Sequence, residues 1–278
     1  TLNRGQSYII GTSNEDPNRT ISGTKVIANK PIVVNGGSQH SRNTHSGNAD
    51  AGLAQLVPTT ALSNKYSLVD GGNTSNIKDY LIIVGVKNNT TVTVNGVTGA
   101  VDSRGNTMPN TLNSGGVATY FLGDTQFAAY TIEASEPIYV YHVSSQTQGE
   151  FGMEILPALD PCLGTRKVDF SKPGAQARAI AYVPNNGLSS LIFNGQSYTI
   201  AAATINGNKA NPIPGTDYSF VVFQDAQILP SGNNRISCDK KMQVAVMAFT
   251  GGTGNYAYYS DYLKNIEVYD PVTQLPTA

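Results

Sequence analysis

Apolar and polar positions alternate in short runs along most of the chain, and one such run occurs three times. It reads Val26-Ile27-Ala28-Asn29-Lys30-Pro31-Ile32-Val33-Val34, then Ile132-Glu133-Ala134-Ser135-Glu136-Pro137-Ile138-Tyr139-Val140, then Ile236-Ser237-Cys238-Asp239-Lys240-Lys241-Met242-Gln243-Val244, at intervals of 106 and 104 residues. Each copy places a hydrophobe, a small residue, a polar turn and a second alternating stretch, which predicts two strands joined by a tight connection. Pro31 and Pro137 stand where the second strand would begin, a position where a missing N–H costs little.

A second shared phrase follows the same order. Ile82-Ile83-Val84-Gly85-Val86-Lys87-Asn88-Asn89-Thr90-Thr91-Val92-Thr93-Val94-Asn95-Gly96 matches Ile180 to Gly195 with one insertion. In both, Asn-Asn marks a turn and Asn-Gly closes the next strand, where the left-handed backbone of a type I′ turn favours those residues. Consecutive hairpins are expected. Copy one lacks this phrase and is truncated. Polar-apolar-proline connectors echo each other at Ala54-Gln55-Leu56-Val57-Pro58 and Gly152-Met153-Glu154-Ile155-Leu156-Pro157.

The pattern predicts an all-β fold of three degenerate repeats of antiparallel strands packed as β-sandwich-like layers, with blade-like or propeller-like packing as the alternative. One repeat-built domain is expected over 1–268, divided at 1–77, 78–172 and 173–268. Residues 269–278 would form a linker to a following domain. The stretch 41–77 is the expected place for a short helix. The polar tracts 102–116 and 203–216 are long enough to be functional loops.

Composition sharpens the setting. Charged residues are 13% of 278 and the net charge is −1, so the chain has no basic footprint for nucleic acid. Its 28 glycines, with many Asn, Ser and Thr, suit the turns of an extracellular β protein. No apolar run approaches the length needed to cross a bilayer, so no membrane insertion of this segment is expected. Cys162 and Cys238 have no metal-ligand spacing and read either as a disulfide or as two buried thiols.

Candidate chemistry is sparse. Of three histidines, His40 and His45 sit in a Ser/Asn/Gly loop and His142 ends an apolar strand, and no Gly-x-Ser-x-Gly elbow is present. Carboxylate pairs for glycoside cleavage could come from Asp50, Glu150, Glu154 or Asp160, but Trp, the commonest sugar-stacking residue, is absent. Asp102-Ser103-Arg104-Gly105-Asn106 spaces oxygen ligands at alternate positions, which marks Asp102 and Asn106 as candidates for a structural calcium, although Arg104 and the missing distal Glu favour an Asx-turn. Tyr256, Tyr258 and Tyr262 fall on one side of an alternating stretch and, with His40 and His45, are the candidate ligand-binding residues.

The order of Gly23-Thr24-Lys25-Val26, Lys30-Pro31-Ile32-Val33-Val34, Ala54 to Pro58 with Lys65-Tyr66, Asn88 to Gly96, Glu136 to Val140 and Leu156-Pro157-Ala158-Leu159 resembles the IgGFc-binding protein N-terminal domain family, in its bacterial cell-surface and adhesin version. The likeness runs from about Gly5 to Tyr262 and lies in strand and turn phrases, not in a catalytic signature. It implies non-enzymatic adhesion or surface assembly in an extracellular or bacterial cell-surface protein. Partners would be host, prey or surface glycans and proteins, or other copies of the same assembly. The sparse cysteines depart from the animal members, so IgG Fc binding is not carried over. The alternatives are a secreted carbohydrate-active enzyme or accessory sugar-binding domain, and a structural subunit or spacer of an extracellular filament.

Overall fold

The structure, a computed structural model, describes residues 1–11, 21–41, 50–71, 78–145, 151–160, 163–172, 176–224, 229–249 and 255–260. Strands β1 (Asn35–Ser41) and β2 (Asp50–Gln55) form a two-stranded antiparallel sheet. Eight more make the second unit: β3 (Ser63–Val69), β4 (Tyr80–Gly85), β5 (Thr90–Val94), β6 (Val97–Thr98), β7 (Thr111–Leu112), β8 (Val117–Phe121), β9 (Ala129–Ser145) and β10 (Phe151–Ile155). The third repeats the order with β11 (Thr165–Ser171), β12 (Gln176–Pro184), β13 (Ile192–Phe193), β14 (Gln196–Ser197), β15 (Asn211–Pro212), β16 (Tyr218–Gln224), β17 (Asn233–Phe249) and β18 (Asn255–Tyr259). The fold is all-β, with the curled antiparallel layers expected from the alternation.

The repeated phrase is not two strands in copies two and three. It is one continuous strand of 17 residues, β9 and then β17. The first half of β9 pairs with β3 and β5, and its second half with β4 and β10. Between them the register against β3 jumps from Lys65↔Glu133 to Ser63↔Ile138. The third unit shows the same jump, from Lys167↔Ser237 to Thr165↔Met242. The polar triplets Ser135-Glu136-Pro137 and Asp239-Lys240-Lys241 are therefore corners, at which a single strand passes from one layer into the other.

This corrects the expected hairpins as well. β4 and β5 are not paired with each other, because β9 stands between them, and Asn88-Asn89 carries the chain from one layer to the next. Asn-Gly does make the type I′ turn: Asn95 and Gly96 have φ of 52° and 76°, Asn194 and Gly195 of 48° and 83°. Each asparagine also grips the long strand. The Thr131 N–H donates to Asn95 Oδ1 at 2.9 Å, and the Arg235 N–H donates to Asn194 Oδ1 at 2.8 Å. The expected helix in 41–77 is a single 3₁₀ turn, Thr59–Ala61, since Pro58 and the strand at Ser63 leave no room to propagate.

Among the described residues of copy one, strand begins at Asn35, and Val26, Ile27, Ile32 and Val33 of the repeated phrase before it are exposed. Thr1-Leu2-Asn3 with Gly5 matches Thr111-Leu112-Asn113 with Gly115, so Ser7–Ile10 stands where β8 stands in copy two. There β4 lies between β8 and β9. Among the described residues copy one has no counterpart of β4, and the two segments it would join stay unpaired.

Units pack in series. The connector after each unit lies on the second half of the next long strand: Tyr139 donates its hydroxyl to the Val57 carbonyl at 2.6 Å, and Gln243, at the equivalent place, donates Nε2 to the Ala158 carbonyl at 2.6 Å. One core fills copy two and runs into the seam through Leu156, Leu159, Ile180, Tyr182 and Met247, while a second fills copy three around Phe193, Phe223 and Val244. The long polar tracts close these cores. Met108 and Leu112 from the first, and Ile205 and Ile213 from the second, are buried plugs.

Tyr66 pins the corner of β9. Its hydroxyl donates to the Ile138 carbonyl at 2.7 Å and accepts from the Ser63 N–H at 2.9 Å, and burial pushes its pKa up to about 12. Replacing Tyr66 with Phe leaves both buried backbone groups without that partner. The expected loss is about 1–3 kcal/mol, read from the midpoint of urea unfolding at unchanged slope.

Candidate functional site

Two polar constellations stand out among the described residues, one sealed and one open. The sealed one lies on the second half of β9. His142 is fully buried between two carboxylates: Nε2 is 3.0 Å from Asp79 Oδ2, and Nδ1 is 2.6 Å from Glu154 Oε1. Asp79 comes from the residue before β4 and Glu154 from β10, directly opposite His142 in the ladder. The Glu154 contact is close enough for a charge pair without meeting hydrogen-bond geometry. Sequence reasoning read His142 as a strand-end residue. The structure places it inside a strand, and only the strand pairing reveals its two acidic neighbours.

Burial works to neutralise the imidazole, but the Glu154 charge and the Asp79 contact outweigh it and raise the pKa from 6.5 to about 10. Burial also pushes the Glu154 carboxyl above its usual range, with His142 pulling partly back. The triad has the elements of acid–base chemistry but no opening for a substrate, as all three side chains are at most 4% exposed. Its role is within the fold. The fold does not demand it elsewhere: the equivalent cross-strand pairs are Gly36↔Ala54 in copy one and Val246↔Tyr258 in copy three.

A raised histidine pKa gives stability that is complete below 6.5 and lost as pH climbs through about 10. The raised Glu154 pKa acts in the same sense, its contribution falling as pH rises above the ordinary carboxyl value. The melting temperature should therefore fall between pH 6.5 and 10. His142→Val alone removes the histidine from between two buried carboxylates and should cost about 3–5 kcal/mol. Combining it with Asp79→Ala and Glu154→Met should recover most of that loss and flatten the pH profile in calorimetry.

The open constellation sits where β11 meets the first half of β17. The Arg235 guanidinium forks onto Asp169, with Nε at 2.6 Å from Oδ1 and Nη2 at 3.2 Å from Oδ2, and holds that carboxyl below its usual range. Asn194 Nδ2 donates to Asn234 Oδ1 at 2.9 Å. With Gly195 and Asn233 these residues line a shallow polar depression of about 410 Å³. Asn194 and Gly195 were read from sequence as a turn, and none of these residues as a binding residue. The usable signal was the Asn-Gly turn itself, which brings an asparagine side chain to the surface edge of the long strand. Its polar groups are engaged with one another: Arg235 is paired with Asp169, and the buried Asn234 donates to the Pro230 and Gly232 carbonyls.

Of the residues expected to bind ligand, His40 lies on β1 and Tyr256 and Tyr258 on β18, all placed by backbone. β10 packs against both β2 and β18, so these strands flank it. His45 and Tyr262 lie outside the described residues. Asp102 accepts from the Arg104 and Asn106 N–H groups at 2.9 and 2.8 Å, and from Asn106 Nδ2 at 3.1 Å, which ties the loop into an Asx-turn. Among the described residues no group of three or more His, Cys, Asp or Glu side chains is arranged to hold a metal ion. Cys238 is a buried free thiol beside the Gly187 carbonyl, while Cys162 lies outside the described residues.

Neither a curated protein nor a solved structure matches the chain. A family model described as IgGFc binding protein matches residues 1–249, which takes in the described part of copy one, both long strands and the sealed triad. The resemblance carried by the strand and turn phrases thus extends over most of the sequence, and the chain belongs to the IgGFc-binding protein family.

Proposed function

We propose that this chain is a non-enzymatic adhesion or surface-assembly module of a secreted or cell-surface bacterial protein. Membership of a binding-protein family is the observation that carries the reading. The distribution of polar groups supports it. Among the described residues the Asp79–His142–Glu154 cluster is sealed in the core, whereas the Asp169–Arg235 depression is open. A low charge content and abundant small polar residues suit an extracellular surface, and among the described residues no helix is long and apolar enough to cross a membrane.

Contact with host, prey or surface glycans and proteins is assigned to the depression beside Arg235 and to the strand bearing Tyr256 and Tyr258, with His40, His45 and Tyr262 from the neighbouring segments. A structural calcium at Asp102 and Asn106 is part of the proposal only as an accessory to loop shape. The test is a glycan and extracellular-protein array probed with the isolated chain, with and without a calcium chelator. Saturable binding that Arg235→Ala weakens about tenfold or more is the expected outcome. Cleavage of any array component, or binding to none of them, would overturn the reading.

A further inference from the structure

The sequence contains five Asn-Gly steps, at Asn35, Asn95, Asn186, Asn194 and Asn206. At such a step the glycine, having no side chain, leaves its own nitrogen uncovered beside the preceding amide side chain. Four of the five are restrained. Asn35 and Gly36 are held in the β1–β2 ladder opposite Gln55 and Ala54. Gly187 is buried in a 3₁₀ turn, Asn185–Ser190. Asn95 and Asn194 are exposed, but each is tied twice to the long strand beside it. The Asn95 N–H donates to the Thr131 carbonyl at 2.8 Å while its Oδ1 accepts from the Thr131 N–H. Asn194 is bound to Arg235 in the same way, its N–H donating to the carbonyl at 2.9 Å.

Asn206 has no such tie. It lies in the 203–216 tract, and with Gly207 it makes a type I′ turn between Ile205 and Asn208, at φ of 49° and 80°. Both turn residues are exposed. Two backbone bonds close the turn: the Ile205 N–H donates to the Asn208 carbonyl at 2.8 Å and the Asn208 N–H to the Ile205 carbonyl at 2.9 Å. Asn208 Nδ2 reaches the Asn206 carbonyl at 3.2 Å. Among the described residues nothing bonds the Asn206 side-chain amide. The turn matters to the core, because Ile205 at its base is a buried plug only 8% exposed.

We propose that Asn206 is a site of spontaneous deamidation, and that its isoaspartate product withdraws the Ile205 plug. Once the turn opens, the Gly207 peptide nitrogen attacks Asn206 Cγ. Its proton passes to the departing side-chain amide, which leaves as ammonia, and a succinimide ring closes. Water then adds to one ring carbonyl and breaks that carbonyl's bond to the ring nitrogen. Opening at the side-chain carbonyl gives aspartate. Opening at the main-chain carbonyl gives isoaspartate, which routes the backbone through Cβ and Cγ and leaves the α-carboxylate as a side group. A two-residue type I′ loop has no room for an added main-chain atom, so the Ile205↔Asn208 pairing is lost with it. Local opening of the turn limits the rate. At Asn95 and Asn194 opening must also break bonds to the long strand, which slows conversion about tenfold or more. The chemistry is independent of what the chain binds.

The test is to age the full chain at neutral pH and follow each Asn-Gly step by peptide mass spectrometry, with enzymatic methylation of isoaspartate as a second readout. Conversion at Asn206 should outrun that at Asn95 and Asn194 about tenfold or more, and the product should accept the methyl label. The aged chain should unfold at a lower urea midpoint than the fresh chain. Aged Asn206→Gln, whose longer side chain closes the ring far less readily, should keep its midpoint. Fresh Asn206→Asp carries the charge without the added atom and should unfold as the native chain does. Conversion at any other Asn-Gly step as fast as at Asn206, an aged chain with an unshifted midpoint, or an Asn206→Asp midpoint as low as that of the aged chain would each overturn the proposal.

Discussion

Everything in this fold turns on one strand having to sit at the centre of two layers. β9 and β17 each bend at a polar triplet and pair along both edges on either side of the bend, so each long strand has four strand neighbours of its own. That requirement decides which segments can meet. β4 and β5 are adjacent in sequence but go to opposite layers, since the same strand claims both. The corner is also where backbone groups lose their ladder partners, and in copy two a buried tyrosine hydroxyl replaces them. Copy three meets the same bend with Val168 in that position, so the corner tolerates more than one solution.

A second constraint comes from stacking. In copy two the strands alternate, with Leu81 and Ile83 inside and Tyr80, Ile82 and Val84 half-exposed. In copy three the equivalent strands are buried on both faces. Ile180 and Tyr182 meet the seam, while Ala179 and Ala181 face the inner core. Small residues on one side and large ones on the other let two packed surfaces share one sheet at normal interior density. The sealed Asp79–His142–Glu154 cluster belongs to the less crowded copy. Its counterparts elsewhere are uncharged, which separates what the architecture needs from what copy two alone adopted.

The repeat, the all-β class and the Asn-Gly turns were legible from the chain because they rest on local rules: alternation, spacing and the left-handed backbone of Asn95 and Asn194. The strand through Pro137 was misread for a physical reason. A polar triplet with proline usually ends a strand, and only tertiary pairing on both sides shows that here it bends one. The His142 cluster was invisible because Asp79 and Glu154 lie 63 and 12 residues from it in sequence, and the ladder alone brings them together. Asp169 and Arg235 were equally hidden, being cross-strand partners far apart in the chain. The buried Asx-turn at Asp102, by contrast, was readable from five consecutive residues.

The placement of the incoming strand bears on how the protein is made. β3 leaves the ribosome well before its partner, since Val69 pairs with Ala129, roughly sixty residues later; at typical synthesis rates that is a delay of several seconds. During that interval an apolar strand with two free edges must wait in the nascent chain, beside the sequence that will become its own neighbours. The same delay recurs for β11 and β17. Vectorial synthesis therefore presents each unit half-built, holding out an unsatisfied strand to the next, and a sparse distribution of charge gives little electrostatic protection while it does so. Chaperone dependence during synthesis follows from this timing more directly than from the stability of the finished fold.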